Sequence, residues 1–372
     1  MKVLHICNDY CGSKVHMNLY SHLDHLLSKQ TIYTYFDDKE QSVCHQFSGQ
    51  HSNIIYDIIL NPYLRKIYPL KMWWVIRHLK KKVNVEEYDC VHATTLLSDG
   101  GIAYRLFKKY RIPYIVAFRS SDLIIAQKYP KFFLFFSLPI LLNAKNVIFV
   151  NKAIKANLRS LGILDKVWED VENKSLMCPN GIESYWLNNI YNKQRPKNHK
   201  ICYVGNFYAR KNVLRLISAV ESLREDFPDI CLEIVGGGGI DETKVHELAS
   251  HENSDFIHLY GKISDKEKLS NVLRECAIFA MPSWGETFGL VYVEALTQNL
   301  RLLYSQGEGI DGMFENTGIA VDPFSIQSIA DGLRKLFSDY DKFEDNTNID
   351  FSVFDWNNIA RGYMALYEKA LI

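Results

Sequence analysis

Several common signatures are missing from this chain of 372 residues, and each absence narrows its class. None of its eight cysteines forms a Cys-x-x-Cys pair, and most lie inside apolar runs that read as buried strands. That argues against a secreted disulfide scaffold and fits a reducing cytosol. No apolar run reaches the roughly 18 residues of a membrane-spanning helix. The longest, Phe132 to Leu142, is broken by Ser137 and Pro139. The N-terminus turns polar at Asn8 and Asp9, too early for the apolar core of a signal peptide. No internal repeat, low-complexity tract or nucleic-acid-binding module is present. The turn after the first apolar run, at Gly12-Ser13, lacks the glycines of G-x-G-x-x-G, which counts against a nicotinamide dehydrogenase.

The net charge is also absent, 43 Lys and Arg offsetting 43 Asp and Glu, but it hides an asymmetry. Residues 1–195 hold 26 basic against 16 acidic side chains, and the remainder 17 against 27. A basic half suggests an anionic surface or substrate. Short apolar runs alternate with helical patterns almost throughout, which predicts parallel sheets covered by helices on both faces. Strands are expected near 2–7, 31–36, 54–60, 88–92, 113–118, 146–150 and 175–178. A polar segment, Asn192 to His199, reads as a linker. A second series follows, near 200–204, 231–235, 256–260, 277–281, 301–304 and 318–321. The last helix, about 355–371, has a broad apolar face and must pack on something substantial. The predicted architecture is α/β, with two Rossmann-like domains facing each other across a cleft: residues 1–195, residues 196–352, and a terminal helix, 353–372, returning to the first.

The most specific segment runs from Met281 to Leu296: a strand end, a Gly turn and a helix carrying Glu286 and Glu294. Eight positions correspond to about 12 Å of helix rise, enough to place a carboxylate at each end of an extended ligand. Between them, the N–H groups of Phe288, Gly289 and Leu290 are expected in the first helical turn, where orphan donors and the helix dipole favour phosphate. An isolated Glu pair at this spacing is more often the acidic start of a surface helix; the strand and turn around it point to function.

This segment resembles the E-x7-E signature of retaining family-4 glycosyltransferases of the GT-B fold, and further matches follow in the same order along roughly 320 residues. Asp89 to Ala93 with Asp99-Gly100-Gly101 resembles the strand and helix start of the family's first domain. Phe118-Arg119-Ser120-Ser121-Asp122 stands where the family writes His-Gly-x-Asp, and Pro179-Asn180-Gly181 resembles its interdomain turn. Tyr203 to Lys211 resembles the opening strand and phosphate loop of the second domain, and Val235 to Gly239 its next strand end. The resemblance implies a nucleotide diphosphate sugar as substrate, uridine expected over guanosine, and transfer with retention to a hydroxyl of a glycan or lipid-linked glycan. It implies Glu294 on the ribose, Glu286 on the transferred sugar, and Lys211 with the 288–290 helix start neutralising the leaving diphosphate. Gly205, Asn206, Arg210, Gly236 and Gly12 would lie along the donor, and Ser120 and Asp122 toward the acceptor or sugar. No cofactor and no metal are expected.

Two positions depart from the family pattern. Asn206 replaces an Arg, and Arg210, adjacent to Lys211, is either a substitute for that charge or a solvated charge at a helix start. Arg119 replaces the His, which suggests a carboxylate-bearing sugar, or more simply diphosphate contact or an ion pair with Asp122. Aromatic and basic residues interleave over 63–82, with a second aromatic patch at 129–136, which suits peripheral docking on an anionic membrane from the cytoplasmic side or, equally, a core with a wet basic face. His5, Cys7, Cys11 and His16 cluster without zinc-site spacing, and Asp339-Tyr340-Asp341 reads as a solvated loop. Alternatives to a transferase are an epimerase or phosphorylase of the same architecture, or a non-catalytic binding module.

Overall fold

The computed structural model describes residues 1–37, 44–251, 254–343 and 346–372. The first series of apolar runs forms strands β1 (Lys2–Ile6), β2 (Lys29–Phe36), β3 (Ser52–Ile58), β4 (Cys90–Ala93), β5 (Tyr114–Phe118), β6 (Asn146–Phe149) and β7 (Ser175–Met177). Between them run helices α1 (Lys14–Leu23), α2 (Pro62–Lys66), α3 (Tyr68–Lys82), α4 (Ser98–Tyr110), α5 (Ser120–Lys128), α6 (Pro130–Asn143), α7 (Lys152–Ser160) and α8 (Trp168–Asn173). The second series gives α9 (Ser184–Asn188), β8 (Lys200–Gly205), α10 (Val213–Glu221), β9 (Cys231–Gly236), α11 (Glu242–Ala249) and β10 (Ile257–Gly261). It continues through α12 (Lys266–Arg274), β11 (Ile278–Ala280), α13 (Leu290–Thr297), β12 (Arg301–Ser305), β13 (Gly318–Val321) and α14 (Ile326–Ser338), and the chain ends in α15 (Trp356–Ala370).

Each series closes its own parallel sheet, ordered β3-β2-β1-β4-β5-β6-β7 and β10-β9-β8-β11-β12-β13. In both, the first strand of the series lies at the centre and the order reverses beside it. Loops leaving the two central strands therefore diverge at their C-terminal ends, where α/β sheets bind ligands. The inner strands, such as β4, β5, β6, β11 and β12, are buried on both faces because helices cover both. Along β1, Leu4 and Ile6 pack toward α3, α4 and α6, while Val3 and Cys7 pack toward α1 and α15.

The chain divides into two compact units: Met1–Val150 with Ile154–Gly181 and Trp356–Ile372, and Asn151–Ala153 with Ile182–Asp355. Helix α15 thus belongs to the first unit, burying Trp356, Ile359, Tyr363 and Tyr367 in its core. The division falls before the polar 192–199 segment. Residues 182–195, expected in the first domain from the sequence, lie in the second: Trp186 is buried in the second core and the Tyr191 N–H donates to the Thr297 carbonyl at 2.8 Å.

The cysteines hold one bond that their spacing does not announce. Cys11, in the turn after β1, is disulfide-bonded to Cys44, with 5.4 Å between the Cα atoms. Adjacent strands β1 and β2 lead the chain to the same end of the first sheet, which brings the two positions together.

Candidate active site

Strands β8 and β11 are the neighbours at which the second sheet reverses order. The loop after β8 carries Lys211 and the loop after β11 carries Glu286, and their side chains meet, Nζ to Oε2 at 2.5 Å. Both are largely shielded, their side chains 16% and 11% exposed. The backbones are tied as well: the Trp284 N–H donates to the Arg210 carbonyl at 2.9 Å. Asn212, buried and in the left-handed region at φ 62°, donates through Nδ2 to the Pro282 and Pro323 carbonyls at 2.8 and 2.7 Å. It starts α10 and fixes where Lys211 leaves the chain.

Glu286 is held from its other side by Glu308 in the turn after β12. The Glu308 carboxylate accepts from the Glu286 N–H at 2.9 Å, and the Gly309 N–H donates to the Glu286 carbonyl at 3.2 Å. Burial pushes the Glu308 carboxyl above its ordinary range, opposed by the Gly285 and Glu286 amides. Asn151, which groups with the second unit, donates to the Thr287 carbonyl. Glu308, Asn212 and Asn151 were not anticipated; the only advance signal was the glycine pair around Glu308 just past a strand end.

Helix α13 begins at Leu290, later than expected, so Phe288 is not in its first turn. The Phe288 ring is buried against Phe354, and only its backbone remains for a ligand. Gly289 caps the helix at φ 75°, and a Cβ there would meet the Tyr292 ring at 2.5 Å. Only glycine lets the chain turn there. The first-turn amides of Leu290 and Val291 have no acceptor within the helix. Glu294, one turn further, is half-buried; burial raises its carboxyl to about 7, against the opposing Lys266 ammonium and with a small addition from Glu183.

The loop after β9 completes this end of the sheet. Gly236, at φ 149°, lies so close to Gly205 of β8 that a Cβ would fall on the Gly205 carbonyl. The Phe207 N–H donates to Gly238 at 2.7 Å, closing the 205–208 loop over the glycines. Asn206 and Arg210 are both exposed; the Asn206 carbonyl accepts from the Tyr203 hydroxyl at 3.0 Å.

In the first unit the order reverses between β1 and β4. Gly12 sits in the turn after β1, beside Asp9, and Arg119 follows β5. Arg119 Nε donates to the Thr94 carbonyl at 3.2 Å. Burial raises the Asp9 carboxyl while the Arg119 guanidinium opposes it. Asp122 was expected to face an acceptor, and the structure spends it on the fold. Only 2% exposed, it accepts from the Leu96 and Leu97 N–H groups at 3.0 Å each and from the Arg119 N–H at 3.1 Å. It pins the loop after β4 to the start of α5. The expected Arg119–Asp122 contact is therefore made by the Arg119 backbone, and Ser120 next to it is half-buried.

Among the described residues, one group of metal-ligand types comes within common reach: Cys231, Glu233 and His258. His258 Nδ1 lies 3.1 Å from Glu233 and 3.5 Å from Cys231 Sγ. Lys200 Nζ, 4.0 Å from the same carboxylate, already supplies positive charge. The group lies toward the N-terminal ends of β9 and β10, away from the loops above. Cys11 is in its disulfide and His5 faces His92, so these do not form the sequence cluster as a site. Asp339 and Asp341 pair with Lys342 and Lys197, each at 2.7 Å.

Comparison with known proteins agrees with this arrangement. Residues 189–349 match the family model of glycosyl transferases group 1, and residues 18–169 that of glycosyltransferase family 4. An uncharacterized glycosyltransferase of Methanocaldococcus jannaschii is 24% identical over 298 residues, 78% of each chain. Among solved structures, sucrose-phosphate synthase from Thermosynechococcus elongatus superposes with a TM-score of 0.71 at 20% identity, covering 99% of this chain and 98% of that one. HepE of Anabaena, crystallised in complex with UDP, gives 0.66 at 17% identity with the same coverage. Two consecutive family matches, on two Rossmann-like units of the matching order, settle the class: the chain belongs to the group 1, family-4-type glycosyltransferases of the GT-B fold.

Proposed function

We propose that this glycosyltransferase takes a sugar from a nucleotide diphosphate donor and passes it, with retention of anomeric configuration, to a hydroxyl of a glycan or lipid-linked glycan. The observation that carries the reading is the Lys211–Glu286 pair at the reversal point of the second sheet, beside a glycine-capped helix start and ahead of a half-buried glutamate. A carboxylate accepts hydrogen bonds from sugar hydroxyls, an ammonium and free helix amides hold diphosphate, and all three lie within one loop cluster. The relative crystallised with UDP supports a uridine nucleotide as the first donor to test.

In this reading Glu294 accepts from the ribose hydroxyls and Glu286 from the transferred sugar. Lys211 and the amides at Gly289 and Leu290 meet the diphosphate, with the close-packed backbone at Gly205 and Gly236, and the exposed Asn206 and Arg210, along its path. In the first unit Gly12 serves the donor, and Arg119 and Ser120 serve the transferred sugar and the acceptor. The bond from the anomeric carbon to the diphosphate oxygen breaks, the acceptor oxygen bonds to that carbon on the same face, and its proton passes to the departing diphosphate. Charge that develops on the leaving group is met by Lys211, so the step needs neither a metal ion nor a protein nucleophile. A cytoplasmic setting suits such donors, and there Cys11 and Cys44 would stand as thiols.

The test is to incubate the protein with UDP-sugars and follow the released sugar by proton NMR before it mutarotates. Release of the donor's own anomer, lost in Glu286→Ala, supports the reading. The opposite anomer would refute retention, a free epimerised sugar would identify an epimerase, and nucleotide binding without turnover would identify a binding module.

A further inference from the structure

We propose that the first unit docks on a bilayer containing anionic phospholipid, through a platform formed by α2, the N-terminal half of α3 and the N-terminal half of α6. Along α3, Tyr68, Met72, Val75 and Leu79 turn into the core. Tyr63, Ile67, Leu70 and Trp73, spaced three or four positions apart, remain outside, Tyr63 by 81% and Trp73 by 52%. The two adjacent tryptophans have different tasks. Trp74 Nε1 donates to the Ile59 carbonyl at 3.0 Å, and its ring lies 4.7 Å from that of His78, so it belongs to the fold. Trp73 is in contact with the Arg77 guanidinium, 5.5 Å from its ring, and otherwise faces outward.

Helix α6 adds a second row on the same side. The Tyr68 ring meets Phe132 at 5.8 Å and Phe136 at 4.4 Å between centroids, and Phe135 beyond them is 74% exposed. Next to this rim a groove of about 360 Å³ has an apolar floor of Tyr68, Phe136, Pro139 and Ile140 and a basic wall of Arg105, Lys108 and Lys109. An apolar chain can lie on the floor while a phosphate rests against the wall.

Charge selects lipid over a protein partner of mixed charge. Between Asp57 and Glu86 the chain has seven basic residues and no acidic one, and between Asp99 and Asp165 its only acid is the buried Asp122. Exposed aromatics with a basic surround match an anionic interface, where rings sit at headgroup depth and each cation adds attraction; one of these cations, Arg65 on α2, is already paired with Asp37 at 2.6 Å. The platform is fixed to the loop after β4: the Tyr68 hydroxyl donates to the Leu97 carbonyl at 2.8 Å and Lys71 Nζ to Ser98 Oγ at 3.0 Å. Docking would therefore hold this loop close to the membrane. The inference stands independently of the donor assignment.

Flotation with phosphatidylcholine vesicles, with and without phosphatidylglycerol, tests it. Wild-type protein should float with the anionic vesicles and stay behind with the zwitterionic ones. Trp73→Ser/Phe135→Ser should remain in the soluble fraction with an unchanged melting temperature. Lys66→Gln/Lys131→Gln should weaken binding to the anionic vesicles by about 25-fold, roughly fivefold for each charge removed near the surface. Trp74→Phe should float as wild type does. The proposal is overturned if wild type ignores the anionic vesicles or binds both kinds equally, or if Trp73→Ser/Phe135→Ser floats undiminished. It is equally overturned if that variant turns a wild-type dimer into a monomer on a sizing column, since the face would then join copies of the chain.

Discussion

Lys211 and Glu286 come from the loops after two strands that are neighbours in space but far apart in sequence, and they meet at 2.5 Å. In the free protein each satisfies the other. A donor would draw them apart, the ammonium toward diphosphate and the carboxylate toward sugar hydroxyls, so the two residues should separate in their kinetic effects. Lys211→Ala should weaken nucleotide binding and lower kcat by a factor on the order of 10²–10³. Glu286→Gln should abolish transfer while nucleotide Kd stays within a few-fold of wild type. Equal loss of nucleotide affinity in both variants would remove the division of roles.

If Glu294 holds the ribose as proposed, nucleotide binding has a pH dependence of definite sign. Its carboxyl is raised to about 7 by burial, so lowering the pH through 7 protonates it and removes the charge that ribose hydroxyls favour. Nucleotide affinity should fall below pH 7, by up to about tenfold per pH unit. Glu294→Gln should bind weakly with little pH dependence. Calorimetric titration from pH 8 to 5.5 checks this, and a wild-type Kd that stays constant across that range would count against it.

Gly289→Ala should damage the site without removing a functional group. The left-handed φ of 75° and the adjacent Tyr292 ring leave no place for a methyl group. A cost of about 1–3 kcal/mol follows from forcing such a residue, visible as a lower melting temperature. Because the start of α13 must shift, nucleotide binding should weaken too. Wild-type stability and binding in this variant would show that the glycine is incidental.

The first unit contains a buried histidine pair that should make it acid-sensitive. His5 and His92 face each other across β1 and β4 with Nδ1 atoms 3.2 Å apart, and the Tyr367 hydroxyl lies 2.9 Å from His92 Nδ1. Burial lowers both, His92 to about 3, with a further contribution to His5 from His92 and to His92 from Arg119. Below pH 6.5 the unfolded chain takes up protons that the folded one refuses, so this part of the stability is present above 6.5 and is lost as the pH falls toward 3. Asp99, raised to about 7 by burial, runs the other way, so the test is a difference between proteins. His92→Gln should flatten the acid limb by about 1.4 kcal/mol per pH unit well below 6.5. Parallel stability-versus-pH curves for the two proteins would contradict it.

Much of the fold was legible because strand periodicity is local. Runs such as Val3–Ile6 and Ile201–Val204 are apolar on both faces, as parallel strands covered by helices must be. The reversal of each sheet, the packing of α15 against α1 and the contact of Lys211 with Glu286 are long-range, and in the sequence only the family resemblance pointed to them. Asp122 is expected toward the acceptor or sugar only because the resemblance aligns it with the Asp of His-Gly-x-Asp, and a carboxylate in the first turn of a helix can be either a ligand or a cap. Choosing between them needs the loop at 96–97, which sequence does not place beside it. Phe288 shows the same limit: its position in the motif was clear, while the direction of its ring depends on Phe354. Cys11 and Cys44 lie 33 residues apart, and only the adjacency of β1 and β2 brings them together. Over 63–82, helical spacing showed the amphipathic pattern but not which tryptophan was anchored.

The most direct test of the central claim is a thermal-shift panel of UDP, GDP, ADP, dTDP and their sugars on wild type and Glu294→Ala. A ligand at 100 times its Kd stabilises the folded state by about 2.7 kcal/mol, easily seen as a higher melting temperature. The expected result is a shift with one nucleotide class, largest with its sugar conjugate, that disappears in Glu294→Ala. No shift with any nucleotide, or an undiminished shift in Glu294→Ala, would contradict a donor site built around the loops after β8 and β11.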